Sequence, residues 1–171
     1  ARALRILSEY LEPLARFNHH RVNDTIVFMG SARLLPRDKA EAALAEARVL
    51  AADDPATLPP LLGVPTAIKD LNLTKGVPTK FGSRLFADNV PEVDDNVVVL
   101  LRAAGTISLG KTATPELGLP CYTENDIGPP TRTPWDLSLS AGGSSGGAGA
   151  AVAAGFVPFA QGSDGGGSIR I

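Results

Sequence analysis

Two short blocks set serines among glycines, and their residue types could do covalent chemistry. They are Gly142-Gly143-Ser144-Ser145-Gly146-Gly147 and Ser163-Asp164-Gly165-Gly166-Gly167-Ser168. Glycine lets a backbone approach a ligand closely. Ser168 follows three glycines, so its hydroxyl sits next to a run of unobstructed N–H groups. Acyl transfer needs that pairing, a nucleophile and donors aimed at the oxyanion that forms. A flexible Gly/Ser linker does not explain the blocks, because a helix-like alanine run and an apolar run separate them.

Other chemistries fit less well. Gly105-Thr106-Ile107-Ser108-Leu109-Gly110-Lys111-Thr112 satisfies the phosphate-loop pattern G-x4-G-K-[ST]. Its intervening residues read as a strand rather than a phosphate-wrapping loop, and Pro115 stands where a helix should continue. Lys111 is then expected on a surface loop. A dinucleotide loop fails because Val152 occupies the position after Gly147-x-Gly149 that needs Gly or Ala. The histidines, His19 and His20, lie far in sequence from the serine blocks and read as an exposed pair. No His, Cys and carboxylate cluster has metal-ligand spacing.

The residues resemble the amidase signature family. The resemblance rests on G-G-S-S-G-G at 142–147, S-D-G-G-G-S-I-R at 163–170 and G-V-P-T-A-I-K-D at 63–70. Supporting pieces follow in the family's order: L-R-A-A-G-T-I-S-L-G-K-T-A-T-P-E-L-G at 101–118, T-E-N at 123–125 and T-P-W-D at 133–136. The resemblance covers about residues 41–171. It implies a Ser–Ser–Lys triad in which Ser168 is the nucleophile and Lys69 the general base. The family's bridging serine stands 24 residues before its nucleophile, which selects Ser144 rather than Ser145. Gly165, Gly166, Gly167 and Ser168 would supply oxyanion-hole N–H groups. Asp164 and Arg170 match positions that hold the loop. Leu119 and Cys121 fall in the segment that runs beside the acyl pocket. No metal or organic cofactor is implied.

These side chains need elements to carry them. Residues 2–17 read as an amphipathic helix and Thr25–Met29 as a short strand. Residues 37–52 read as a second helix. Val64–Leu73 reads as a strand carrying Lys69, and Asn96–Ala104 as a helix stopped by Gly105. Thr106–Leu109 reads as a strand and 112–136 as loop. Ser144–Ala154 reads as a helix of very small residues, and Phe156–Ala160 as a strand. Alternation of this kind argues an α/β layer architecture with a mostly parallel sheet. The family resemblance implies a mixed sheet flanked by helices, of which this chain would be an N-terminal portion with the C-terminal half absent.

Composition sets bounds on partners. The chain has 171 residues, 44% hydrophobic and 20% charged, with a formal net charge of −2. No basic footprint for nucleic acid or an anionic membrane is present. Leu137–Ser163 is free of charge, but its apolar part is too short to span a bilayer. One cysteine, Cys121, fits a reducing compartment, and a cytoplasmic location is expected. The expected partner is a small-molecule amide. A homodimer and the partner subunits of a glutamine-dependent amidotransferase are the alternatives at the level of assembly. Residues 1–40 resemble the start of the lysine-decarboxylase-like phosphoribohydrolases, through D-T-I-V-F-M-G-S-A-R at 24–33. They are expected to form an atypical leader ahead of an amidase portion at 41–171. A phosphate-binding module at Gly30-Ser31-Ala32-Arg33 is the rival from another class. Chain length leads to the expectation that this piece alone is weakly stable or inactive.

Overall fold

The structure is a computed structural model that describes residues 58–171, together with Glu41, Ala42 and Ala45, which are helical. The expected helix at 2–17, the strand at 25–29, His19, His20 and the Gly30–Arg33 module lie outside the described residues.

A parallel pair of strands forms the centre. Strand β1 is Pro65–Lys69, and every residue of it is buried. Strand β2 is Ile107–Thr112. Helix α1, Asn96–Ala103, precedes β2 and buries Val98. Its stop is Gly105, with φ +87°. A side-chain carbon there would lie 2.7 Å from Leu62 Cα, so only glycine lets the chain pass. In the ladder Thr66 faces Ser108, but Ile68 faces Lys111 and Lys69 faces Thr112. One extra residue on β2 makes this a bulge, which changes the side of the strand on which the following residues project.

A second, antiparallel pair joins β3, Arg132–Thr133, to β4, Asp136–Ser140. Strand β3 thus lies inside the 112–136 segment that reads as loop, and β4 begins at its end. The alternation Leu137-Ser138-Leu139-Ser140 is the sequence signal for β4. Helix α2, Gly146–Ala153, follows and lies against β1 and β2. It has no bulky residue, and that smallness sets its position. A side-chain carbon at Gly147 would overlap the Ala113 backbone, and one at Gly146 would overlap the Thr123 hydroxyl. The helix therefore packs directly on the backbone that follows β2.

The strand expected at Phe156–Ala160 is not formed. That segment runs beside β1 but makes few ladder bonds. Gln161 N donates to Ala67 O at 2.8 Å, and Thr66 Oγ1 donates to Phe159 O. Pro158 has no N–H to offer, which limits backbone pairing there. The buried apolar residues are small: Ala67, Ile68, Val98, Ala113, Ala141, Ala148, Ala151 and Val157. Among the described residues, no helix is long and apolar enough to cross a membrane.

Candidate active site

Lys69 ends β1, and its side chain is fully buried. Its backbone N–H donates to Gln161 Oε1 at 3.0 Å, which fixes the strand end against the 159–161 segment. Its Nζ meets four hydroxyls: Ser144 Oγ and Ser145 Oγ at 2.8 Å, Ser168 Oγ at 3.0 Å and Ser163 Oγ at 3.1 Å. An ammonium has three protons to give, so four oxygen neighbours exceed its donor capacity. Burial pushes the Lys69 ammonium down to about 8, opposed by the charge of Asp164. Desolvation disfavours the charged form, and the surrounding hydroxyls offer no compensating charge.

The serines come from the two glycine blocks. Ser144 and Ser145 immediately precede α2, and the Gly143–Ser144 peptide is cis. Ser144 Oγ is 3.0 Å from Ser168 Oγ, and Ser145 Oγ is 2.7 Å from it. Distance alone does not separate the two neighbours, but their other partners do. Ser145 Oγ donates to the Ser163 carbonyl at 3.1 Å and accepts from Ser163 N at 3.3 Å. Ser145 accepts from Lys69, and its one proton is shared between the Ser163 carbonyl and Ser168, which ties it to the backbone of the other block. Ser144 Oγ has only Lys69 and Ser168 as partners among the described hydrogen bonds, and its proton is free to move between them.

The loop after Ser163 is tied by one carboxylate. Asp164 accepts from Gly167 N at 2.7 Å and Ile169 N at 3.2 Å, and takes both Arg170 Nε and a terminal guanidinium nitrogen at 2.9 Å. The Arg170 fork and these N–H groups hold the Asp164 carboxyl well below the usual carboxylate range. The same contacts raise the proton affinity of Arg170. The Gly167 N–H, expected to serve an oxyanion, is instead committed to Asp164. Among the described residues, nothing accepts from the N–H groups of Gly165, Gly166 or Ser168. A side-chain carbon at Gly165 or Gly166 would meet nothing within 4 Å, so open space adjoins these residues.

Ser168 borders a cavity of about 280 Å³ whose wall includes Leu71, Gly118, Leu119, Cys121 and Ser144. The two residues expected beside an acyl pocket are thus on that wall. Ser168 also borders a larger recess, on the side of Trp135 and α2. Among the described residues, no group of three or more His, Cys, Asp or Glu could hold a metal ion.

Two further serines, Ser145 and Ser163, join the site without being singled out by sequence, although both stand in the serine-bearing blocks. Lys111 is a correction. Its side chain is 1% exposed rather than on a surface loop. It donates to the Asn72 carbonyl, to Thr74 Oγ1 at 3.0 Å and to Thr79 Oγ1 at 3.3 Å. The β2 bulge lies just before it, and these buried acceptors satisfy it. Its protons are used internally, and residues 107–112 are strand, so the phosphate-loop pattern is coincidental here.

Comparison with known proteins gives a consistent result. The model of the Amidase family matches residues 30–171. The chain is similar to an acylamidase of Rhodococcus erythropolis, 56% identical over 114 residues, covering 67% of this chain and 24% of the relative. It is also similar to a glutamyl-tRNA(Gln) amidotransferase subunit of Moorella thermoacetica, 53% identical over 133 residues, covering 77% of this chain and 27% of the relative. Among solved structures, a bacterial aryl acylamidase of the amidase signature enzymes superposes with a TM-score of 0.77 at 33% identity. That match covers 95% of this chain and 33% of the other. The chain spans about a quarter of the length of the curated relatives it matches.

Proposed function

The chain belongs to the amidase family, and we propose that the protein carrying it is an amidohydrolase that cleaves a carboxamide C–N bond through an acyl-enzyme on Ser168. The observation that carries this reading is one continuous contact path. Lys69 Nζ is 2.8 Å from Ser144 Oγ, which is 3.0 Å from Ser168 Oγ. Lys69 acts as general base and Ser144 as the bridging relay.

The steps balance. Ser168 Oγ attacks the amide carbonyl carbon. Its proton passes to Ser144 Oγ while the Ser144 proton passes to the neutral Lys69 amine. The oxyanion that forms faces the free N–H groups of Gly165, Gly166 and Ser168, whose worth lies in being fixed before charge develops. The relay then runs backwards: Lys69 returns its proton to Ser144, which gives its own to the leaving amine, and the C–N bond breaks. Water attacks the ester by the same relay and releases a carboxylic acid and free Ser168. With a lysine at about 8, roughly a tenth of the molecules at neutral pH hold the base in its reactive form. Asp164 and Arg170 shape the donor loop, while Leu119 and Cys121 face the acyl group. The single cysteine accords with a cytoplasmic setting.

A serine-directed fluorophosphonate tests the assignment in the protein that carries this chain. Stoichiometric label on the peptide containing Ser168, absent from Ser168→Ala, is expected. Label elsewhere, or none on the folded protein, removes the reading.

A second reading is favoured by the amidotransferase relatives. In it, the same acyl transfer releases ammonia from glutamine to partner subunits. Glutaminase activity that needs a partner, with no free hydrolysis of varied amides, would select it.

A further inference from the structure

Among the described residues, the proposed chemistry leaves two buried charged groups unused, Lys111 and its neighbour Asp70. We propose that Lys111 is a positioning residue for Lys69, its ammonium clamping the segment that leaves the base. This rests on the amidohydrolase reading above.

The geometry runs through consecutive residues. Lys69 and Asp70 are neighbours at the end of β1, where successive side chains point to opposite faces. Lys69 reaches the serines, and Asp70 lies on the other side, 3.9 Å from Lys111 Nζ. Both oxygens of Asp70 also accept from Lys80 N, at 3.3 and 3.2 Å. Lys111 gives its three protons to Asn72 O, Thr74 Oγ1 and Thr79 Oγ1. Residues 70, 72, 74 and 79 therefore converge on one cation carried by β2. The segment they define, 70–79, starts directly after Lys69 and includes Leu71 of the Ser168 cavity.

The two buried lysines have different surroundings. Both are lowered to about 8 by burial. Lys69 faces hydroxyls, with Asp164 its carboxylate influence. Lys111 faces Asp70, Asp95 and Asp94, all of which favour its charged form, and its acceptors match an ammonium one for one. Lys69 divides three protons among four hydroxyls, whereas each Lys111 proton has an acceptor of its own, so Lys111 is the more firmly anchored of the two. Removing the ammonium leaves Asn72 O, Thr74 and Thr79 without that donor and frees the turn, so Lys69 Nζ loses its fixed place. A misplacement of about 1 Å can cost about 100-fold in rate.

The test uses leaving-group chemistry in the protein that carries this chain. An amine cannot leave until the relay returns a proton to it, whereas an activated phenolate leaves unprotonated. Lys111→Met should lower kcat/KM for an anilide amide about 100-fold. It should lower that for the matching nitrophenyl ester clearly less, since the ester loses only the base step and the amide loses proton return to its leaving group as well, with KM for both nearly unchanged. Should Lys111→Met fail to fold, Thr74→Val and Thr79→Val, which keep the ammonium and remove acceptors, should shift the amide-to-ester ratio in the same direction by less. Equal losses on the two substrates in the folded variants overturn the proposal, because a purely structural role lowers both alike. Wild-type protein that cleaves neither substrate sinks the amidohydrolase reading instead.

Discussion

Ser144 and Ser145 touch the same two groups, and the fate of one proton separates them. Ser145 donates to the Ser163 carbonyl, while Ser144 keeps its proton between Lys69 and Ser168. Ser144→Ala is therefore expected to lower the rate of fluorophosphonate labelling at Ser168 by about 100-fold or more. Ser145→Ala removes an acceptor for Lys69 and a donor to the Ser163 carbonyl but leaves the relay in place, and should cost about tenfold or less. Labelling kinetics on both variants decide the point, and equal effects would refute the division of roles. The base also predicts a pH profile. Labelling should rise with pH through an apparent value near 8 and level off above it, because only neutral Lys69 can accept the proton. A limb lying well below pH 7 would assign the base elsewhere.

At the scale of elements, α2 depends on the absence of side chains on one face. Gly147 lies so close to the Ala113 backbone that no side-chain carbon fits, whereas Gly149 has nothing within 4 Å. Gly147→Ala should destabilise the chain by about 1–3 kcal/mol, the usual cost of overpacking, and push Ser144 and Ser145 off Lys69. Gly149→Ala meets no neighbour and improves helix propensity, so it should stabilise by about 0.5–1 kcal/mol. Urea unfolding of the pair gives the two signs directly, and the same sign for both would contradict the packing described. The helicity of α2 is legible in its run of small residues, and its placement is legible only in part. The bulge in β2 is not legible. It depends on how β2 pairs with β1, a contact between residues about 40 apart in sequence, and without it Lys111 reads as a surface residue.

At the scale of the whole molecule, two lysines among the described residues have ammonium forms disfavoured by burial. Their folded values, about 8, lie below the ordinary 10.5 of an unfolded chain. Between those values the unfolded state binds more protons, so stability should rise as pH increases from about 8 toward 10.5. Two such groups give a slope of at most about 2.7 kcal/mol per pH unit. Denaturant midpoints measured at intervals across that window check the sign, and a flat or falling curve would show that neither lysine is desolvated as described. Lys111→Met should reduce the slope by about half if it folds, since one of the two titrations is gone.

By itself, the sequence determined the chemistry's inventory: two serine-bearing glycine blocks, a lysine carried on a strand and the order in which they occur. Those features are local, set by residue type and short spacing, and they survive without knowledge of the fold. Only the tertiary structure decided how they meet. It brought Lys69 within 3.1 Å of four serine hydroxyls from two loops. It tied Gly167 N–H to Asp164 instead of leaving it for an oxyanion. It buried Lys111 against the carbonyl and hydroxyls of the segment that follows the base. Each of these outcomes depends on competition among hydrogen-bond partners and on burial, which are properties of the packed chain rather than of any short stretch of it.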